Sequence, residues 1–279
     1  MLRAMYSGYS GLKSSQTELD VTSNNIANVN THGFKKGRTT FKDMLSQQVS
    51  GATEPSANRG GTNPLQIGLG IQIGSIDTIQ TQGSLQTTGR SLDLAISGEG
   101  FFMLGRGDGT TITDHKYTRS GSFSLDENGH VVNSDGDYLI KAVPDPANPL
   151  FAVLYIPINL PTTASNFNIE KDGTITYTDE NGMTITQGGL PLAKFTNPEG
   201  LEKSGTNNFS ETVNSGAPMY TWPGEGGVGT VVTGMLEMSN VDFSEEFTEM
   251  IVAQRSFQAN SRVITTADEI VQEIANLKR

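Results

Sequence analysis

Glycine and proline are absent from residues 12–32 and again from residues 235–279, and nearly all of the chain's 32 glycines and 11 prolines lie between those two stretches. An interior glycine costs a helix about 1 kcal/mol and a proline about 3, so breaker-free gaps of this length predict long helices at the two ends. The dense middle predicts many tight turns. The expected fold class is therefore α+β and multi-domain, with N- and C-terminal helices forming a coiled coil and all-β material between them.

The C-terminal gap opens with Ser239-Asn240-Val241-Asp242, a capping pattern, and Glu245 and Glu246 follow where acids favour a helix start. Apolar or small residues then recur at Phe243, Phe247, Met250, Phe257, Ile264, Ala267, Val271 and Ile274, with Gln254 and Ser261 as polar members of the stripe. The spacings alternate between four and three, apart from a stammer-like shift at 264, 267 and 271. A continuous helix from Asp242 would run about 57 Å. At the other end Leu2, Met5, Tyr9, Leu12, Leu19 and Ile26 fall on an a/d stripe with Gln16 and Ser23, and the helix should end between Asn28 and Gly33. Two such stripes invite pairing and make these residues the candidate assembly interface. The competing expectation is that each helix packs separately on a globular core.

Alternation of apolar and polar residues predicts strands at 76–80, 92–96 and 175–177, and Asn128-Gly129, Asp135-Gly136, Asp172-Gly173 and Asn181-Gly182 read as turns between them. Residues 46–64, rich in Ser, Gly, Asn and Pro, read as an extended linker, and Val143-Pro144-Asp145-Pro146 should interrupt the sheet. The expected division is 1–30 with 240–279 as the helical domain, 31–75 as an extended linker domain, 76–140 with 191–235 as a β domain, and 141–190 as an outer β insertion.

Charge narrows the function. The net charge of −11 argues against nucleic acid, whose phosphates need a basic footprint. It is unevenly spread: residues 1–42 carry six cations against two anions, and residues 236–279 carry eight anions against four cations. Without cysteine there is no disulfide framework and no thiolate metal cluster. The longest apolar run, Leu150 to Ile156, is too short for a membrane helix, and Ser7, Ser10, Lys13, Ser14 and Ser15 break up any signal-peptide core, so neither membrane insertion nor a cleaved leader is expected. His32, His115 and His130 have no ligand spacing. Gly105-Arg106-Gly107-Asp108-Gly109 does not continue as a dinucleotide fingerprint, and Asn133-Ser134-Asp135-Gly136-Asp137 lacks the closing glutamate of a calcium loop, so both read as turns. Trp222 is either a binding surface or a loop anchor, and a paired-carboxylate hydrolase would leave its acids unidentifiable by spacing. No cofactor, metal or catalytic residue is assigned.

Two terminal segments carry a family resemblance. Asn24-Asn25-Ile26-Ala27-Asn28-Val29-Asn30-Thr31-His32-Gly33-Phe34-Lys35 resembles the N-terminal signature of bacterial flagellar rod and hook subunits, above all through Asn24, Asn25, Ala27, Asn28, Gly33 and Phe34. Leu236 to Asp242, with Ser239, Asn240 and Val241, and then Met250 to Arg255, with Gln254 and Arg255, resemble its C-terminal signature. Leu92 to Phe102, Tyr117 to Gly121 and Ala193 to Leu201 are similar to the same family's β domain. The opening Met1 to Gly8, Phe34 to Asp43 and Arg59 to Pro64 look most like hook subunits of Gram-positive bacteria, whereas the short chain keeps a distal rod subunit as the alternative. The resemblance implies a non-enzymatic subunit polymerising into a flexible tube that transmits torque. The implied partners are copies of itself, the distal rod protein, the hook cap and hook–filament junction proteins, and the flagellar type III export apparatus. It further implies an extracellular place on the flagellum, reached without a cleaved signal peptide.

Overall fold

In a computed structural model of the chain, residues 2–55, 59–107, 112–144, 153–161, 166–179 and 182–277 are described. They divide into two compact units. The first comprises the chain up to Ala27, Gly37–Thr78 and the chain from Asp242, and the second comprises Asn28–Lys36 and Ile79–Val241.

The first unit holds two helices, α1 (Leu2–Ala27) and α2 (Phe243–Leu277). Both fall where the breaker-free gaps predict them, although α1 also runs through Gly8 and Gly11. The cap of α2 is one turn later than the Ser239 pattern suggests. Asp242 Oδ1 accepts from the backbone N–H of Ser244 at 2.8 Å and of Glu245 at 3.3 Å, whereas Ser239 Oγ accepts only from Val241 N–H at 3.3 Å in the preceding turn. No helix is long and apolar enough to cross a membrane among the described residues.

Four strands complete this unit. β1 (Gly37–Asp43) pairs antiparallel with β4 (Ile71–Thr78), with a register shift between Thr40 and Phe41. β2 (Ser46–Ser50) pairs antiparallel with β3 (Leu65–Gly68), and Thr53 bridges Thr62 further out. The extended linker expected at 46–64 is thus in part a hairpin arm. Leu65 and Ile67 on one strand supply an apolar–polar alternation that composition hides, while the other strand offers only Val49, which falls at the register shift between Gln48 and Ser50. Both faces of the arm are exposed.

The second unit is built on antiparallel strands. Strand Phe101–Gly107 lies between Tyr138–Pro144 and Ile112–Thr118, and the sheet continues outward through Thr184–Gly189, Thr174–Thr178 and Asn166–Ile169 on one side. The described strands within 141–190, the span expected as an outer β insertion, pair into this sheet. The strand Tyr138–Pro144 ends inside the expected break at Val143 to Pro146 and pairs with Val153–Pro157, since proline at a strand's last position forfeits no interior ladder bond. Residues 145–150 lie outside the described part, as do 108–111 of the glycine-rich loop and Asn181 of its turn. Gly129, Gly136 and Gly173 take the positive φ of 79°, 79° and 83° that their turns require. Asn133 Oδ1 accepts from the N–H of Asp135 and Asp137, each at 2.9 Å, which makes 133–137 a self-closed turn.

Two apolar clusters fill this unit. One gathers Leu94, Phe102, Leu104, Leu139, Ile175 and Val231 with their neighbours, and the other gathers Phe101, Met103, Tyr117, Ile140 and Phe195. Phe102 meets Phe123 edge to face at 5.7 Å, and Tyr117 meets Phe195 likewise at 4.8 Å, geometries that add to burial.

Candidate assembly interface

Helices α1 and α2 lie antiparallel. A methyl group placed on Gly8 would meet Ile264 at 3.2 Å, one on Gly11 would meet Asn260 at 2.7 Å, and Asn25 Nδ2 donates to Glu246 Oε2 at 2.9 Å. The buried positions of α1 are Gly8, Gly11, Ser14, Ser15, Thr22 and Asn25, and those of α2 are Glu246, Ala253 and Ala267. This seam is shifted one residue from the expected stripes: 8, 11, 15, 22 and 25 stand where 9, 12, 16, 23 and 26 were expected. One residue is 100° of helix rotation, enough to turn a different face inward. Small side chains let the helices approach closely, which explains why α1 tolerates two glycines.

The predicted interface residues separate accordingly. Met5, Leu12, Leu19, Ile26, Met250, Phe257 and Ile264 are half-buried and flank the seam. Tyr9, Phe243, Phe247, Val271 and Ile274 are exposed, as are Tyr6, Ile251, Val252 and Ile270, while Ala267 is buried in the seam. The side chain of Leu2 lies outside the described part. Phe243 and Phe247 stack on each other at 6.0 Å in full view of solvent. Many of the large apolar side chains therefore lie on the outside of the helix pair.

The signature residues also separate. Within the first unit Asn25 holds Gly37 by both its backbone groups, at 2.8 and 3.0 Å, while donating to the buried Glu246. Ala27, Gln254 and Arg255 are exposed. Within the second unit Asn28 closes a turn with Thr31, and Phe34 lies buried under the Lys203 ammonium, 5.0 Å from its ring. Gly33, at φ 70°, approaches Ser120 so closely that a methyl group there would lie 2.6 Å from its nitrogen, and its N–H donates to Glu237 O at 2.8 Å. Asn240 accepts from Lys36 N–H at 2.8 Å and donates to Ile79 O at 2.9 Å.

At the centre of that second group is an ion cluster that sequence reading missed. Glu237 is fully buried between Lys35, at 2.6 Å, and Arg119, at 3.2 Å. Lys35 Nζ also donates to Thr81 O at 2.7 Å, Gly83 N–H donates to Glu237 at 2.9 Å, and Arg119 reaches Gly98 O at 2.9 Å. Burial, the largest influence, pulls the Lys35 ammonium below its usual pKa while Glu237 pushes it back, and Arg119 is lowered by burial in the same way. The cluster pins 28–36, the β strands and the segment before α2 together inside this unit. Three charged residues some 80 to 120 positions apart give no spacing signal. Their only trace in sequence is that each lies within or beside a stretch resembling the flagellar family.

The seam has one electrostatic flaw. Burial first, and the Glu249 charge second, raise Glu18 above the ordinary glutamate range. Among the described residues no group of His, Asp and Glu could hold a metal ion.

Residues 5–35 match the family described as flagella basal body rod protein, 95–177 the flagellar hook protein FlgE/F/G D1 domain, and 232–277 the flagellar basal body rod FlgEFG protein C-terminal domain. The chain is 50% identical over 280 residues to the flagellar basal-body rod protein FlgG of Bacillus subtilis, with 100% of both chains covered. In Borreliella burgdorferi it is 38% identical over 282 residues to the rod protein FlgG and 31% identical over 446 residues to the flagellar hook protein FlgE, again with 100% of each chain covered. The lean of individual residues toward a hook subunit is not upheld, since rod relatives match at higher identity and at this chain's own length. Together these matches show that the chain belongs to the flagellar rod and hook axial proteins, structural subunits of the bacterial flagellum rather than enzymes.

Proposed function

We propose that this chain is a distal rod subunit, one copy of a stiff tubular drive shaft, rather than a subunit of the flexible hook. The observation that carries this reading is the end-to-end 50% identity with a rod protein of the same length. The exposed apolar faces of α1 and α2 support a role as inner-tube elements that close against further copies. The buried Lys35–Glu237–Arg119 cluster supports a second unit built to resist shear, because separating those charges would leave each of them unpaired. The partners in this reading are copies of the same chain and the axial proteins at either end of the shaft, with export through the flagellar type III apparatus before assembly. The predicted interface residues Tyr9, Phe243, Phe247, Val271 and Ile274 are the ones proposed to meet neighbouring copies.

Electron microscopy of the polymerised chain, together with complementation in cells lacking the rod or the hook subunit, tests the reading. Straight tubes and rescue of the rod-deficient cell are expected. Curved tubes with rescue of only the hook-deficient cell would move the assignment to the hook.

A further inference from the structure

The first unit contains both halves of a contact that one copy leaves unmade. The first half is an overhang. With Gly8 opposite Ile264, Gly11 opposite Asn260 and Asn25 opposite Glu246, the start of α1 stands opposite residue 269 or so, and among the described residues the last eight of α2, about 12 Å of helix, have no part of α1 beside them. Along that overhang Ile270, Ile274 and Leu277 fall at i, i+4 and i+7, one face of a helix, and are 45%, 55% and 81% exposed. Glu269 and Glu273, four residues apart, flank the same face.

The second half is a groove. A cavity of about 550 Å³ lies between α1 and β4, lined by Tyr6, Tyr9, Leu69 and Ile71, with Arg3 and Lys13 on its rim. Its walls are pinned, because Ile71 N–H donates to Ser10 Oγ at 3.4 Å and Met44 N–H donates to Gly70 O at 2.8 Å. Tyr6 is 71% exposed, an unusual state for a large ring beside an apolar cleft. From Arg3 to Lys13 the groove follows about 15 Å of α1, a length that matches the overhang. An apolar stripe flanked by acids and an apolar cleft rimmed by cations match in length and are opposite in sign.

We infer that the groove between α1 and β4 receives the α2 overhang of a second copy, with Ile270, Ile274 and Leu277 in the cleft and Glu269 and Glu273 against Arg3 and Lys13. The contact is heterologous, groove to overhang, so it passes from copy to copy, and where the rotation between copies does not close into a ring it builds an open helical polymer. It rests on the assembly reading above and assigns that reading a specific joint.

The chain has no cysteine, so single-cysteine variants report contacts without background. An Ile71→Cys chain mixed with an Ile274→Cys chain, polymerised and oxidised, should give a disulfide between the two different chains, absent in dilute monomer. In parallel, Lys13→Glu alone and Glu273→Lys alone should each raise the critical concentration for polymerisation about five- to tenfold, and the two combined in one chain should bring it back to within about twofold. A polymer that gives only Ile274→Cys homodisulfides, or a critical concentration indifferent to both charge reversals, overturns the joint and leaves the rod reading standing. A wild-type chain that stays monomeric at every concentration, also when mixed with neighbouring axial proteins, overturns both.

Discussion

The two units bury opposite kinds of residue. In the β unit the fully buried side chains include Phe102, Leu104, Leu139, Ile140 and Ile175, large apolar groups at close-packed positions. In the helices of the other unit the buried positions are taken by small or polar residues, Gly8, Gly11, Ser14, Ser15, Thr22, Asn25, Glu246, Ala253 and Ala267, while Tyr6, Phe247, Val252 and Ile274 face outward. A core of the first kind removes enough apolar surface from water to offset the chain entropy of its own residues. A seam of the second kind does not, because the groups with most to gain from burial are on the other side. The β unit is thus complete in one copy, and in the proposed assembly the helical unit is finished by its neighbours.

Cutting the completed half should give the largest effect. Glu237→Gln leaves Lys35 and Arg119 buried without their counter-charge, and losing one member of such a group costs about 3 to 5 kcal/mol. Phe102→Ala should cost a similar amount through the cavity it opens. Both penalties belong to the monomer and would appear in its denaturant midpoint, read from the near-ultraviolet signal of the β unit. A midpoint unmoved by Glu237→Gln would mean that the cluster is only decoration.

The matching cut in the unfinished half should be silent until assembly. Phe247 is 48% exposed, so Phe247→Ala should change monomer stability by less than about 0.5 kcal/mol. In the polymer, where a neighbour covers the ring, it should cost about 1 to 2 kcal/mol per contact, seen as a higher critical concentration in sedimentation. Phe257, half-buried beside the seam, should fall between these cases. A Phe247→Ala variant that melts early as a monomer and polymerises normally would erase the contrast.

The β unit can also be titrated. Tyr117 donates or accepts at Tyr220 across 2.9 Å, and Tyr155 packs on Tyr220 at 4.9 Å. Burial, then the Tyr220 hydrogen bond, pushes Tyr117 well above the usual value of 10.0, and burial raises Tyr155 and Tyr220 as well. These rings keep their protons in the folded state while the unfolded chain loses them, so their contribution is fully present below about pH 10 and is lost as pH rises beyond it. Tyr117, the most strongly raised of the three, adds a slope of at most about 1.4 kcal/mol per pH unit in that window. Tyr117→Phe should flatten the alkaline fall of the β unit's melting temperature, and the share of the tyrosinate absorbance that this substitution removes should appear in the parent chain only as the unit unfolds.

How much of this was legible in the sequence follows the same division. The helices could be read because absent glycine and proline is a local signal, and the turns at Gly129, Gly136 and Gly173 could be read for the same reason. The seam was misplaced by one residue because a stripe search follows the largest apolar side chains, and here those side chains serve the outside. Beside that stripe, Gly8, Gly11 and Ser15 at three- and four-residue spacing were the signal available, yet glycine in a predicted helix is ordinarily counted against it. The hairpin arm at 46–68 hid behind a polar composition, and the Lys35–Glu237–Arg119 cluster is non-local, so no pattern along the chain could gather it.

The smallest expected effect lies in the seam itself. Glu18, half-buried on α1, is raised above its usual value of 4.5 by burial and by the like charge of Glu249. A carboxyl whose folded pKa is raised favours folding while it is protonated, below the unfolded value, and that contribution is lost as pH climbs through the folded value. At neutral pH the helix pair therefore holds an ionised acid at a partly dry site, and Glu18→Gln should firm it. Solvent screening limits the gain to a few tenths of a kcal/mol, up to about 1. The far-ultraviolet melt of the helices should shift upward at pH 7 and not at pH 4, with the β unit's melt unchanged at both. A shift of equal size in both melts would mean that seam and core unfold as one cooperative body, and the distinction between a completed unit and an unfinished one would fail.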